Sequence, residues 1–293
     1  MVAHIIDELR AIGIEEYVFV VGYLGDRVRE YVDRQYPGIV AHYVQQPDRL
    51  GLGHAIHLTD EAVAGRDVLI VLGDTIFRAD FSGVLSRETT QIGVKEVEDP
   101  RRFGVVLREG DRVVGFVEKP EEPVSRLAIV GIYYVTDSRA LYAALGDAIR
   151  QGRKTRGEYQ LTDALQVMLE GKTAMETFPV EGWYDCGKAE TLLATNRDLL
   201  DLEASSPEIE GCVVIPPVAI HPQARVERCI LGPHATIAEE AVVEDSIVRD
   251  SILNQGSRVR HMILEASLVG EDAVVEGAPR KVNIGDSSDL HLA

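Results

Sequence analysis

The chain has 293 residues, 45% of them hydrophobic and 27% charged, which allows one large or two ordinary domains with a real core. A formal charge of -18 argues against nucleic-acid or anionic-membrane partners, so any phosphate ligand must be held by a few local cations, backbone amides or a metal. No apolar run approaches the ~20 residues of a membrane span, and residues 1–22 lack the charged n-region and cleavage site of a secretory signal.

The chain opens on MVAHIIDELRAIGIEEYVFVVG, in which Val2, Ile5, Ile6, Leu9 and Ile12 recur as the apolar stripe of a helix. Gly13 stands where a C′ glycine ends such a helix, with Ile14 placed to pack back on it. No Ser, Thr, Asp or Asn precedes the helix as a cap. Tyr17–Val21 reads as a buried strand, and a helix follows from a cap at Asp26 through Val28, Tyr31 and Val32. Pro37-Gly38 turns the chain into a strand at Ile39–Val44. Helix is expected around Ala55–Val63 and a nearly all-apolar strand at Val68–Leu72. Further strands are expected at Gly104–Leu107, Val113–Val117 and Ile129–Val135, and helices at Ser138–Arg150 and Leu161–Glu170. This alternation implies an α/β fold, a doubly wound, Rossmann-like and mostly parallel sheet with strands buried on both faces.

From about Ile209 the pattern changes. Val226, Leu231, Ile237, Val243, Val248, Leu253, Val259, Leu264, Val269 and Val275 follow at steps of five or six. A small residue often stands two places earlier, as at Ala224, Cys229, Ala235, Ala241, Ser246 and Ser251. Three steps total 16 or 17 residues, the repeat of a triangular coil with one inward aliphatic per side. That is a parallel β-helix of hexapeptide repeats rather than an antiparallel sandwich, which would have to produce the run by accident. The domains expected are 1–205 and 206–293, joined by a linker at Asp201–Pro207. Cys186, Cys212 and Cys229 form no C-x-x-C and read as packed or idle thiols of a reducing, cytoplasmic compartment.

Four stretches of the first half could carry chemistry. QPDRLGLGHA at 46–55 is a turn-rich loop entering a helix; its glycines either permit close backbone approach to a ligand or simply make turns. Leu72-Gly73-Asp74 ends a strand on a carboxylate, at the sheet edge where open α/β folds bind ligands, although Asp74 could equally cap the next segment. Adjacent Glu118 and Lys119 would point to opposite faces unless the strand ends there, and Pro120 supplies that ending; an ordinary solvated ion pair is the alternative. Glu181-Gly182-Trp183-Tyr184-Asp185 places the only tryptophan two residues before an acid. Trp183 could be a core anchor beside a surface Asp185, or Asp185 could join Asp74 as a site for a hard divalent cation.

Taken in order, these stretches resemble the sugar-phosphate nucleotidyltransferase family, and most of all its long glucose-1-phosphate thymidylyltransferases with a left-handed β-helix behind the catalytic domain. The matching words are VVGYLGD at 20–26, QQPDRLGLGHA at 45–55, VLGDTIF at 71–77, RFGVV at 102–106, VEKP at 117–120, AIVGIYY at 128–134, RGEYQLTDAL at 156–165 and GWYDCGKAETLLATN at 182–196. The resemblance implies a transfer of a nucleotidyl group from dTTP or UTP to a sugar 1-phosphate, glucose 1-phosphate first among them, with Mg2+ as cofactor and a homo-oligomeric assembly. It implies that Gln46 hydrogen-bonds the base with backbone contact from Gly51, and that Asp74 and Asp185 bind Mg2+. Gly104, Glu118 and Gly131 would contact the sugar, Lys119 its phosphate, and Tyr133 would wall the pocket.

The same resemblance implies a first strand and a G-x-G-T-R-L loop whose amides and arginine cradle the triphosphate. No such word occurs in the sequence, and no basic residue precedes His4 and Arg10. The expectation is a nucleotidyltransferase domain lacking its first strand and phosphate loop, with little or no activity as it stands. The alternative is a non-catalytic regulatory or assembly subunit that keeps a nucleotide-sugar pocket. Acyltransfer, another use of hexapeptide β-helices, is disfavoured: His221, His234 and His261 have no supporting acid at an evident spacing.

Overall fold

A computed structural model describes residues 1–203 and 207–278, without the side chains of Asp185 and Glu203. The opening stripe folds as helix α1 (Val2–Ala11), burying Ile6 and Leu9. Gly13, at φ +87°, ends it: the Gly13 N–H donates to Arg10 O and the Ile14 N–H to Leu9 O, the paired bonds of a Schellman cap. Strand β1 (Glu16–Val21) and strand β2 (Val40–Gln45) flank helix α2 (Gly25–Gln35). Asp26 is not the cap of α2. The helix starts one residue earlier, at a glycine whose Cβ would stand 2.9 Å from the Val21 side chain, with Leu24 in the left-handed region ahead of it. The helix expected around Ala55–Val63 is two, α3 (Leu52–His57) and α4 (Asp60–Val63). Thr59 separates them, its hydroxyl turned back onto the Ile56 carbonyl at 2.7 Å.

Strands β3 (Val68–Val71), β4 (Thr75–Arg78), β5 (Thr90–Glu96), β6 (Gly104–Glu109), β7 (Arg112–Glu118) and β8 (Leu127–Val135) precede helices α5 (Ser138–Arg150) and α6 (Leu161–Glu170). Strands β9 (Met175–Pro179) and β10 (Gly182–Asp185) and helix α7 (Ala189–Glu203) follow. Six strands form one sheet in the order β3-β8-β5-β9-β7-β6. Strands β3 and β5 both run antiparallel to β8, and β9 runs parallel to β5, so β3, β5 and β9 share one direction with β8 reversed among them. Strand β8 sends Ile129, Tyr133 and Val135 into a core under α5 and α6. Val130, Ile132 and Tyr134 go to the opposite core, with Ile6, Leu9 and Val32 of the first two helices.

Among the described strands, β1 pairs only with β2, and β3 only with β8. Strand β3, read from its sequence as buried on both faces, is only partly buried at all four positions. One of its edges carries no neighbouring strand among the described residues.

The chain divides between Tyr184 and Asp185 into two units. In the second, the aliphatic run folds as three four-stranded parallel sheets in which strands three apart in sequence stack. Val218 pairs with Ala235 and Ala235 with Ser251, coil repeats of 17 and 16 residues. Leu231, Val243, Val248, Leu253 and Val259 fill the interior. The small residues two places earlier have a structural task. The Ser246 hydroxyl donates to Glu244 O and accepts from the Met262 N–H of the next coil; Ser251 does the same with Arg249 O and the Ser267 N–H. Residues at the corners, among them Arg228, His234, Asp245, Asp250 and His261, take positive φ. Helix α7 belongs to this unit and docks on it through Asn196, which accepts from Thr236 Oγ1 at 2.6 Å, and through an Arg197–Asp250 ion pair. Asp201–Glu203, read as linker, are the last turn of this helix; residues 204–206 lie outside the described residues.

Candidate active site

The loop after β2 leaves the sheet where the Gln46 N–H donates to Val21 O at 2.8 Å. It then lies flat on residues 158–160. The Tyr159 N–H donates to Leu50 O, and the Gly53 N–H to Tyr159 O. Gly51 has φ +106°, and a Cβ there would stand 2.7 Å from Tyr159 O; at Gly53 the distance would be 2.8 Å. Both glycines are therefore demanded by contact, not merely by a turn. Gln46 Nε2 donates to Gly51 O at 3.2 Å and lies 3.1 Å from His54 Nδ1.

Strand β7 ends at Glu118. Lys119 takes φ +43° while its N–H donates to Phe103 O, and this turn brings both side chains to one side, Lys119 Nζ lying 3.7 Å from Glu118 Oε1. Glu118 is no ordinary solvated partner: its side chain is 11% exposed against 44% for Lys119. Glu118 Oε2 accepts from Thr162 Oγ1 at 2.8 Å, in the first turn of α6. Gly104 pairs with Glu118 across β6 and β7, and a Cβ on it would stand 3.0 Å from both Glu118 Oε2 and Thr162 Cγ2. Arg156 donates through Nη2 to the backbone carbonyl of Lys119 at 2.7 Å, bringing a guanidinium to the same turn. Tyr133 is buried on β8; burial, and secondarily the charge of Glu118, push its phenol well above its usual range.

Gly131 sits at φ +81° opposite the register shift of β5, and a Cβ on it would meet Leu72 Cδ1 at 2.7 Å. Its carbonyl accepts from the Leu72 N–H at 3.0 Å, which fixes the turn carrying Gly73 and Asp74. Asp74 is exposed in that turn, and strand β4, not a helix, follows, so it caps nothing. Its carboxylate has no protein partner among the described residues. Trp183 packs edge-on against Phe103 with ring centroids 4.8 Å apart, the neighbour of Gly104. Asp185 ends β10, and its side chain lies outside the described residues. Among the described residues no group of three or more His, Cys, Asp and Glu could hold a metal, and no helix is long and apolar enough to cross a membrane.

The structure thus gathers Gly104, Glu118 and Lys119 into one cluster, with Tyr133 behind it, and ties Gln46 to Gly51 in a separate loop. Thr162, Arg156 and His54 were not singled out from the sequence. All three lie inside words quoted above, but a Thr in a helix, an Arg in a turn and a His in a short helix carry no signal until their partners are known. His234, which has no supporting acid at an evident spacing in the sequence, does have an acid partner: its Nε2 lies 2.9 Å from Asp201 of α7.

The family described as Nucleotidyl transferase matches residues 1–201. The chain is 30% identical to a glucose-1-phosphate thymidylyltransferase of Streptomyces griseus, across 98% of this chain and 89% of that one. It is also 30% identical to the UTP--glucose-1-phosphate uridylyltransferase AglF of Haloferax volcanii, across 62% of this chain and 76% of that one. In fold it is similar to a UDP-glucose pyrophosphorylase solved in complex with UDP-glucose, with a TM-score of 0.60 at 22% identity, covering 69% of this chain and 86% of that one. With the matched family spanning the whole sheet and its loops, the chain belongs to the nucleotidyl transferase family.

Proposed function

We propose that this chain carries the base-binding and sugar-phosphate sides of a site that transfers a nucleotidyl group from dTTP or UTP to a sugar 1-phosphate, glucose 1-phosphate first among them, releasing pyrophosphate. One observation carries the reading: residues 156–162 hold both halves of the site at once. Tyr159 anchors the Gln46 loop, Arg156 anchors Lys119, and Thr162 anchors Glu118. The thymidylyltransferase and uridylyltransferase relatives support the same substrates.

In this reading an oxygen of the sugar 1-phosphate attacks the α-phosphorus, a new P–O bond forms, and the bond to pyrophosphate breaks in line. The nucleophile is already an anion at neutral pH, so no strong general base is needed. The work is to bring two anions together and hold them in line. Lys119, with Arg156 at the same turn, offsets the charge of the sugar phosphate, a necessary local exception in a chain of formal charge -18. Glu118, held by Thr162, accepts from sugar hydroxyls, and Gly104 leaves room for that carboxylate to take its place. Asp74 would hold Mg2+; the side chain of Asp185, the other carboxylate expected to bind it, lies outside the described residues. An exposed carboxylate with no protein partner fits an ion that takes its other ligands from phosphate and water. When bound, the ion supplies charge neutralisation to the triphosphate.

The sequence holds no G-x-G-T-R-L word, and β1 and β3 each keep an edge without a strand among the described residues. The test is pyrophosphate release from dTTP or UTP with glucose 1-phosphate and Mg2+, beside binding of UDP-glucose and dTDP-glucose. Binding of at least one nucleotide sugar, with any turnover abolished by Asp74→Asn, is expected. Absence of both binding and turnover with every nucleotide and sugar-phosphate pair overturns the proposal.

A further inference from the structure

The Gln46 amide is oriented by the protein before any ligand arrives. The Gly51 carbonyl can only accept, so the amide atom 3.2 Å away must be the nitrogen. The second hydrogen of that nitrogen points at His54 Nδ1, 3.1 Å away, which is then the ring atom without a proton. Both amide hydrogens are spent. No described group donates to Gln46 Oε1, and the side chain is partly exposed. A flipped amide would set Oε1 against the Gly51 carbonyl, and His54 would have to move its ring proton to Nδ1 to meet it. His54 thus adds the cost of a tautomer change to the clash that Gly51 already imposes.

Resting on the reading of Gln46 as the residue that meets the base, we propose that His54 is a positioning residue for base selection. It locks Gln46 with Oε1 outward, so the site presents an acceptor. Uracil and thymine carry a donor at N3–H and satisfy it. Cytosine carries an acceptor at N3 and meets it lone pair to lone pair, leaving both unpaired, the kind of mismatch by which polar sites discriminate best. His54 acts through Gln46.

The experiment is calorimetric binding of UDP-glucose and CDP-glucose to the intact chain and to four variants. The wild type is expected to prefer UDP-glucose, and Gln46→Ala to lose that preference. His54→Leu, which removes the acceptor, should reduce the ratio of the two affinities by about tenfold, the worth of one hydrogen bond. His54→Gln can accept through its own Oε1 and should restore it. His54→Lys can only donate, should turn Gln46 Oε1 inward, and should move the preference toward CDP-glucose; it serves where His54→Leu fails to fold. An intact chain that binds neither nucleotide sugar, or Gln46→Ala with unchanged binding, overturns the base-binding reading and the role of His54 with it. Binding that depends on Gln46 while both His54→Leu and His54→Lys keep the wild-type ratio overturns the role of His54 alone.

Discussion

Two glycines of the site look alike in sequence and are held for different reasons. Gly104 has ordinary strand φ, and its missing Cβ makes room for the Glu118 carboxylate and the Thr162 methyl. Gly104→Ala should displace Glu118 and weaken UDP-glucose binding at least tenfold, while shifting stability by less than ~1 kcal/mol, because only a side chain has to yield. Gly131 combines φ +81° with a 2.7 Å approach to Leu72. Gly131→Ala should destabilise the chain by about 1–3 kcal/mol in denaturant unfolding, since backbone and packing are strained together. A charge at the surface of the β-helix gives a pH-dependent case. Arg228 grips Asp245 with two hydrogen bonds of 2.7 and 2.9 Å and holds its carboxyl below the usual value. A depressed folded value means that the pair stabilises the fold above the ordinary carboxylate range. That contribution fades as pH falls through the depressed value. In Arg228→Gln, carboxyl NMR should find Asp245 titrating back in the ordinary range, and the two proteins should melt alike once the acid is protonated in both.

Helix ends show how far local rules reach. The stop of α1 at Gly13 follows from one residue's tolerance of positive φ, and the structure bears it out with both Schellman bonds. The Asp137 side chain caps α5 by accepting from the Ala140 N–H at 3.1 Å. Asp137→Ala should cost ~1 kcal/mol by the same denaturant measurement. The strands tell the opposite story. Strand β5 reads TQIGVKE, with Thr90, Ile92 and Val94 as strand formers but a glycine between the last two, and no strand is predicted there. It is nevertheless central and its first five residues are buried. Gln91 can be buried because its Nε2 finds the adjacent Thr89 and, across the sheet, Glu176; Thr90 can because its hydroxyl accepts from the Thr136 N–H. Glu176 and Thr136 are distant in sequence, so a window around Gln91 holds only part of the reason for the burial.

At the scale of the molecule, each unit has its own core. Helices and the mixed sheet enclose two clusters in the first unit, and the coil interior forms a third in the second. Leu253 is fully buried in that third cluster. Leu253→Ala should cost about 2–5 kcal/mol. In a calorimetric scan it should lower the transition of the β-helix while leaving that of the first unit in place. The β-helix was legible because each rung repeats the same local demand, an inward aliphatic and a small hydroxyl or methyl two places before it. The doubly wound half was legible as alternation. Its reversed strand β8 was not, because strand direction leaves no trace in composition or period.

By itself, then, the sequence determined which segments are helix, strand or coil wherever a period or a glycine spoke locally. It also placed Asp74, Glu118 and Lys119 at strand ends. The tertiary structure decided which of the site residues meet. It turned Lys119 back beside Glu118, brought Thr162 and Arg156 to them from α6 and the turn before it, and set His54 against Gln46. The physical reason is range. Periodicity and capping act within a few residues, whereas a hydrogen bond such as Thr162 to Glu118 joins groups 44 residues apart, and only the packed sheet brings them within reach.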